Sequence, residues 1–196
     1  PMPREAAAAQ LREQHGLEGP FLLFVGAIEP RKNVENIVRA FGLLARRLPH
    51  RLVLAGAPGW RADRVTELIR RLGLRDRVVQ PGYLSGRTAL RALYSAADAF
   101  VFPTRYEGFG LPLLEAMACG CPVVTSDNSS VREVAGTAAL YAPPEEPEAI
   151  AEAVNRVVGT PGLAESLAAR GRSQVRKFSW DACAAATLRV YKTLAP

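Results

Sequence analysis

Histidine, cysteine and methionine are scarce: among 196 residues there are two His, three Cys and two Met. His15 and His50 stand far apart, and Cys119-Gly-Cys121 has only one intervening residue, with Cys183 remote. No zinc-type spacing results. The cysteines read as small buried hydrophobes in a reducing, cytosolic compartment. No apolar run approaches the ~20 residues that a membrane span needs. The opening PMPREAAAAQLREQHGLEG lacks a signal-peptide h-region and reads as a polar helical lead-in. No low-complexity linker and no internal repeat divides the chain. Aromatics make up only 7%, so aliphatic residues and Ala carry most of the 48% hydrophobic content.

Three ligand motifs are missing as well. No GxGxxG and no GxxxxGK[ST] follows the first strand-like segment, which argues against dehydrogenases and P-loop NTPases. No Asp-x-Asp dyad sits in a candidate ligand loop. The formal net charge is +6, and basic excess usually reports anionic partners. Here the Arg residues are spread along helices and are not interleaved with aromatics, so nucleic acid is not the expected partner.

What is present is a strict alternation. Strand-like segments occur at 21–27, 51–59, 77–84, 98–104, 121–127 and 138–143. Helix-like segments fall between them at 33–48, 61–74, 85–97, 111–120 and 129–136, and three more follow Glu146. FLLFVGA (21–27) is continuously apolar, as a strand buried on both faces requires. Asn33 and Ser85 stand at helix starts as candidate caps. This pattern predicts an α/β fold: a Rossmann-like, doubly wound parallel sheet of about six strands with helices on both faces. Residues 1–20 are expected to be a lead-in from an interdomain region, and 21–196 one ligand-binding domain.

In such sheets ligands bind at the carboxyl ends of the strands. In GAIEPRKN (26–33), Gly26 lets a ligand approach the backbone, and Arg31 and Lys32 precede a helix start, a good site for a diphosphate. A solvated basic pair is the plainer alternative. LVLAGAPGW (52–60) offers Gly56 and Gly59 for a ligand, or an ordinary turn anchored by Trp60. QPGYLS (80–85) offers backbone groups and the side chains of Tyr83 and Leu84 to a nucleobase, or is a plain turn.

RYEGFGLPLLEAMACGCPV (105–123) is the most telling stretch. Glu107-Gly108-Phe109-Gly110 leads into Leu111-Pro112, where a helix begins. The amides of Phe109, Gly110 and Leu111 would be unsatisfied helix-start donors. Glu115 lies one turn in, roughly 5–6 Å deeper along the axis. Carboxylates accept paired hydrogen bonds from vicinal hydroxyls, so Glu107 and Glu115 suit two diols flanking a phosphate. Their alternative role is to complement the helix dipole. The apolar neighbours of Glu115 predict that it is partly buried, where an unpaired charge costs several kcal/mol.

E-G-F-G-L-P-x-L-E-A-M-A-x-G-x-P-V-V resembles the E-x7-E signature of retaining, nucleotide-sugar-dependent glycosyltransferases of family 4. These enzymes have the two-lobed GT-B architecture. The resemblance runs from Phe21 to Pro196 and covers only the C-terminal, donor-binding lobe, so about half of a complete enzyme is missing. It implies catalytic roles for Arg31 and Lys32, which neutralise the leaving diphosphate, and for Glu107, which holds the donor sugar. It implies substrate-binding roles for Gly26, Gly108, Phe109, Gly110 and Leu111, and for Glu115 on the ribose hydroxyls. Gly82, Tyr83 and Leu84 fall where the base sits. Many relatives carry Gly-Arg after the first strand; here the pair is Gly26-Ala27, so the cationic work rests on Arg31 and Lys32.

The I-E-P-R-K-N variant resembles mannosyl and rhamnosyl transferases of polysaccharide clusters, a pointer to GDP-mannose. The implied partners are a GDP- or UDP-hexose and, through the missing N-terminal lobe, a glycan or lipid-linked acceptor. No metal cofactor is expected. The expected location is cytoplasmic, with peripheral contact at the inner face of the membrane allowed for the full-length enzyme. A non-catalytic nucleotide-binding or assembly module of the same fold is the alternative. A sugar-nucleotide epimerase would need histidines in the cleft, and neither His15 nor His50 falls in a candidate ligand loop.

Overall fold

In the computed structural model, residues 1–84 and 86–194 are described. Ser85, expected near a helix cap, lies outside them. The strands are β1 (Phe21–Val25), β2 (Arg51–Ala55), β3 (Val78–Gly82), β4 (Ala99–Phe102), β5 (Val123–Thr125) and β6 (Ala139–Tyr141). They form one parallel sheet in the order β3-β2-β1-β4-β5-β6. The chain winds outward from β1 to β3, then returns and winds the other way from β4. The strand order therefore reverses between β1 and β4, and sheets of this kind bind ligands beyond the carboxyl ends at such a switch point.

The helices are α1 (Arg4–His15), α2 (Val34–Leu44), α3 (Ala62–Arg71), α4 (Arg87–Ala96), α5 (Leu111–Ala118), α6 (Val131–Ala135), α7 (Pro147–Gly159), α8 (Leu163–Val175) and α9 (Trp180–Leu194). On one face α2 packs between α3 and α7; on the other α4 packs between α1 and α5, and α8 lies against α5. The central strands are buried on both faces because their sequences are apolar throughout. β1 reads FLLFV and β4 reads AFVF, and Phe24, Phe100 and Phe102 are fully enclosed. Each such ring contributes about 1.5–3 kcal/mol of burial. β3 is an edge strand, which is why it tolerates Pro81.

Helix α1 lies on the lead-in side of the expected boundary at residue 20. It nevertheless packs on α4, with Ala7 and Leu11 buried and Arg4 paired to Asp98. Helix α9 buries none of its side chains, and Trp180, Val190, Tyr191 and Leu194 are exposed.

Two local expectations need correction. Asn33 stands before α2 but makes no side-chain cap. It is left-handed (φ 60°) because it closes a short 3-10 turn, Pro30–Lys32. Its Nδ2 instead donates to the carbonyls of Pro103 (2.8 Å) and Pro144 (2.6 Å). Trp60 is not a hydrophobic anchor: it is 67% exposed, with the Arg61 guanidinium over its ring at 4.1 Å.

Candidate functional site: a cation and carboxylate cluster at the β1–β4 crevice

The turn after β1 and the loop after β4 meet because their strands are neighbours. Their backbones lock first. The Arg105 amide donates to the Arg31 carbonyl (2.9 Å), and the Thr104 hydroxyl donates to the same carbonyl (3.0 Å). Arg105 adds a bond to the Pro30 carbonyl (2.6 Å) and a two-point pair with Glu145.

Side chains from the two segments then converge. Lys32 Nζ lies 2.6 Å from Glu107 Oε1, and Arg31 Nη1 lies 3.3 Å from Glu107 Oε2. The Thr104 hydroxyl is 3.2 Å from Glu107 Oε1. Glu107 and Lys32 are both buried, whereas the Arg31 side chain is 44% exposed. Arg31 also reaches the Tyr106 carbonyl (3.0 Å) and Glu29 (2.8 Å). The Lys32 ammonium sits 5.1 Å from the centre of the Phe102 ring. Glu107 is thus a structural counter-ion to two cations, not merely a charge near a helix end.

The loop after β5 props this cluster from behind. The Glu107 amide donates to Ser129 Oγ (3.1 Å), and the Ser130 hydroxyl donates to the carbonyls of Glu107 (3.0 Å) and Phe109 (3.0 Å). The path of the glycine-rich segment 107–110 is therefore held by two serines. Gly110 takes φ +99° and starts α5, with Pro112 in the first turn. Among the described residues, the amides of Gly108, Phe109, Gly110 and Leu111 have no acceptor. These are free donors at a positive helix end.

The expected substrate residues divide into two groups. Gly26 lies at the cluster: a Cβ there would meet the Phe24 ring at 3.3 Å and the Lys32 stem at 3.8 Å. Gly108, Phe109, Gly110 and Leu111 line the same loop. Gly82 instead ends β3, two strands from β1, and Tyr83 and Leu84 follow it, with Tyr83 exposed. Gly56 serves backbone packing, because a Cβ there would lie 1.9 Å from the Gly26 carbonyl oxygen. Glu115 requires the clearest correction. It is exposed, since it projects from the outer side of α5 while Leu113, Ala116 and Met117 face the core. It is still anchored, because the Tyr94 hydroxyl donates to its Oε2 at 2.9 Å.

Thr104, Ser129, Ser130 and Tyr94 escaped the sequence reading. The paired serines Ser129 and Ser130, which follow the fifth strand, were the available signal. Among the described residues, no group of three His, Cys, Asp or Glu could hold a metal ion, and no helix is long and apolar enough to cross a membrane. A second concavity, lined by Arg4, Leu11, Leu17 and Phe21, lies at the opposite, amino end of the strands and contains none of the expected site residues.

The strand order, with the cation–carboxylate cluster at its switch point, places the chain in the Rossmann-like α/β class of domain. The profile of the family described as Glycosyl transferases group 1 matches residues 8–174, and the chain belongs to that family. The O-antigen chain mannosyltransferase B of Escherichia coli is 40% identical over 177 residues, spanning 89% of this chain and 46% of that protein. Sucrose-phosphate synthase from Thermosynechococcus elongatus superimposes with a TM-score of 0.83 at 33% identity, over 98% of this chain and 49% of that one. Anabaena HepE, solved with UDP and glucose, shares the fold with a TM-score of 0.78 at 22% identity, over 88% of this chain and 48% of that one. The chain spans about half the length of each of these three proteins.

Proposed function

We propose that this chain is the donor-binding lobe of a retaining glycosyltransferase. It moves a hexose from a nucleoside-diphosphate sugar to a glycan or lipid-linked acceptor that a second lobe presents. The observation that carries this reading is the convergence of Arg31, Lys32 and Glu107 beside the unpaired amides that open α5.

The bond that breaks joins the anomeric carbon to the diphosphate oxygen, and the electron pair leaves with the nucleoside diphosphate. Stabilising that charge as it develops is the main task of the site. Arg31 is half-exposed and can turn from Glu29 toward a diphosphate. Lys32 is fixed and supplies charge from beneath. The amides of Phe109, Gly110 and Leu111 face oxygens of the sugar and phosphate without having to reorganise. Glu107, held by Lys32, accepts from sugar hydroxyls, and Glu115 accepts from the ribose pair. This arrangement needs no metal. GDP-mannose is the first donor to test, because the E. coli relative is named a mannosyltransferase. The nucleotide in HepE belongs to a protein that shares the fold only, so the base is left to measurement. The same reading puts the protein in the cytoplasm and allows peripheral membrane contact for the full-length enzyme.

Calorimetric titration with GDP, UDP and ADP, then with the matching sugar nucleotides, tests it. One nucleotide should bind saturably, and Arg31→Ala/Lys32→Ala should abolish the binding. Glu107→Ala should weaken the sugar nucleotide more than the free nucleotide, and Glu115→Ala should weaken both. Equal losses on the two ligands from Glu107→Ala would overturn its assignment to the sugar.

A further inference from the structure

Tyr94 is the largest fully buried side chain in the protein, yet its hydroxyl ends on a surface carboxylate. A buried phenol needs a hydrogen-bond partner, and many would serve. Here the partner is Glu115 Oε2, at 2.9 Å on the next helix. The ring is locked by an edge-on contact with Phe100 (5.4 Å, 73°). Phe100 stacks on Phe102 (5.4 Å), and Phe102 lies under the Lys32 ammonium. One aromatic column therefore runs from the hydroxyl that grips Glu115 to the cation that grips Glu107. Burial, followed by the Glu115 charge and the hydrogen bond to it, pushes the Tyr94 phenol well above its usual range, so it stays a donor.

We infer that Tyr94 is a positioning residue for the nucleotide. It fixes one oxygen of an exposed carboxylate so that the other lone pairs face the two ribose hydroxyls. An exposed Glu otherwise samples many rotamers, and ordering it at the moment of binding lowers affinity. The inference rests on the proposed reading of Glu115 as the ribose clamp.

Tyr94→Phe tests it, because this change keeps the ring and removes only the oxygen. The released Glu115 oxygen is at the surface and can be hydrated, so the fold should survive with little change in Tm. The probes are GDP, UDP and ADP, each titrated beside its 2′,3′-dideoxy analogue. Tyr94→Phe should weaken the ribonucleotide that binds by about tenfold, as loss of a hydrogen bond to a charged group does, and should leave the dideoxy analogue unchanged. In a Glu115→Ala background the same substitution should have no further effect. A purely structural tyrosine would weaken both analogues alike or neither, and either result overturns the inference. A wild-type protein that binds ribo and dideoxy forms equally refutes the Glu115 clamp and this inference with it. A protein that binds none of the three refutes the donor-lobe reading itself.

Discussion

Lys32 and Arg31 are adjacent in sequence and both meet Glu107, but their energetic roles should differ sharply. The side chains of Lys32 and Glu107 are 11% and 8% exposed, and their contact is 2.6 Å. Two ions held that far from water roughly balance desolvation against attraction. Removing one partner strands the other, at about 3–5 kcal/mol. Lys32→Met keeps most of the apolar stem and deletes the ammonium that faces Glu107 and the Phe102 ring. Glu107 would retain Arg31 at 3.3 Å, so the lower end, about 3 kcal/mol, is expected. For a domain of this size that corresponds to a fall in Tm of about 6–12 °C. Arg31→Met removes a half-exposed cation and should cost no more than about 1 kcal/mol. The double variant Lys32→Met/Glu107→Gln should recover most of the loss, which gives a coupling of about 2 kcal/mol in a double-mutant cycle. Urea melts at pH 7, with unchanged m-values, are the assay. A Lys32→Met cost below about 1 kcal/mol, or strict additivity in the cycle, would refute the buried-pair argument.

Further outcomes follow from the same packing. Gly56→Ala should destabilise the protein by at least about 1–3 kcal/mol in thermal melts, because its Cβ meets the backbone oxygen of Gly26 and no side chain can move aside. Gly42→Ala, inside α2 with only ordinary contact to Leu72, should instead stabilise by about 0.5–1 kcal/mol; a lower Tm would contradict it. Burial raises the Asp98 carboxyl, but the His50 bond and Arg4 outweigh it and bring it below its usual 3.8. A depressed folded value gives stability above about pH 4 that is lost as pH falls through it. The Tm gap between Asp98→Asn and the parent should therefore be present at pH 7 and shrink below pH 4; an unchanged gap would refute the assignment. Iodoacetamide should label exposed Cys183 in the native protein. It should spare Cys121, whose thiol is pushed up by burial, until urea unfolds the chain.

The sheet was legible because its information is local. Each strand announces itself by an apolar run that ends in Gly, Pro or Asp, and parallel α/β connectivity leaves few ways to arrange such runs. The ends were less legible for the same reason. The helix expected at 33–48 begins at Val34, because Asn33 is used by a tertiary contact that no local pattern reveals, and stops at Leu44, just before the Ala45 and Leu48 carbonyls that Arg77 takes. Lys32 and Glu107 could be nominated separately from their positions at strand ends. That they neutralise each other depends on β1 lying beside β4, a pairing across 75 residues.

Glu115 shows where local reasoning misleads. Its apolar neighbours in sequence suggested burial, but on a helix neighbours along the chain point around the whole circumference. Leu113, Ala116 and Met117 take the inner face of α5 and leave Glu115 outside. Exposure leaves Glu115 free to meet a ligand and changes only what must order its side chain. A buried carboxylate would have been ordered by its surroundings, whereas an exposed one must be ordered by a specific bond. The Tyr94 hydroxyl supplies that bond from a ring that cannot move. The first carboxylate, Glu107, is ordered by charge and enclosure, and the second by a single donor. Substitutions around Glu107 should therefore register in both stability and affinity, while Tyr94→Phe should register in affinity alone.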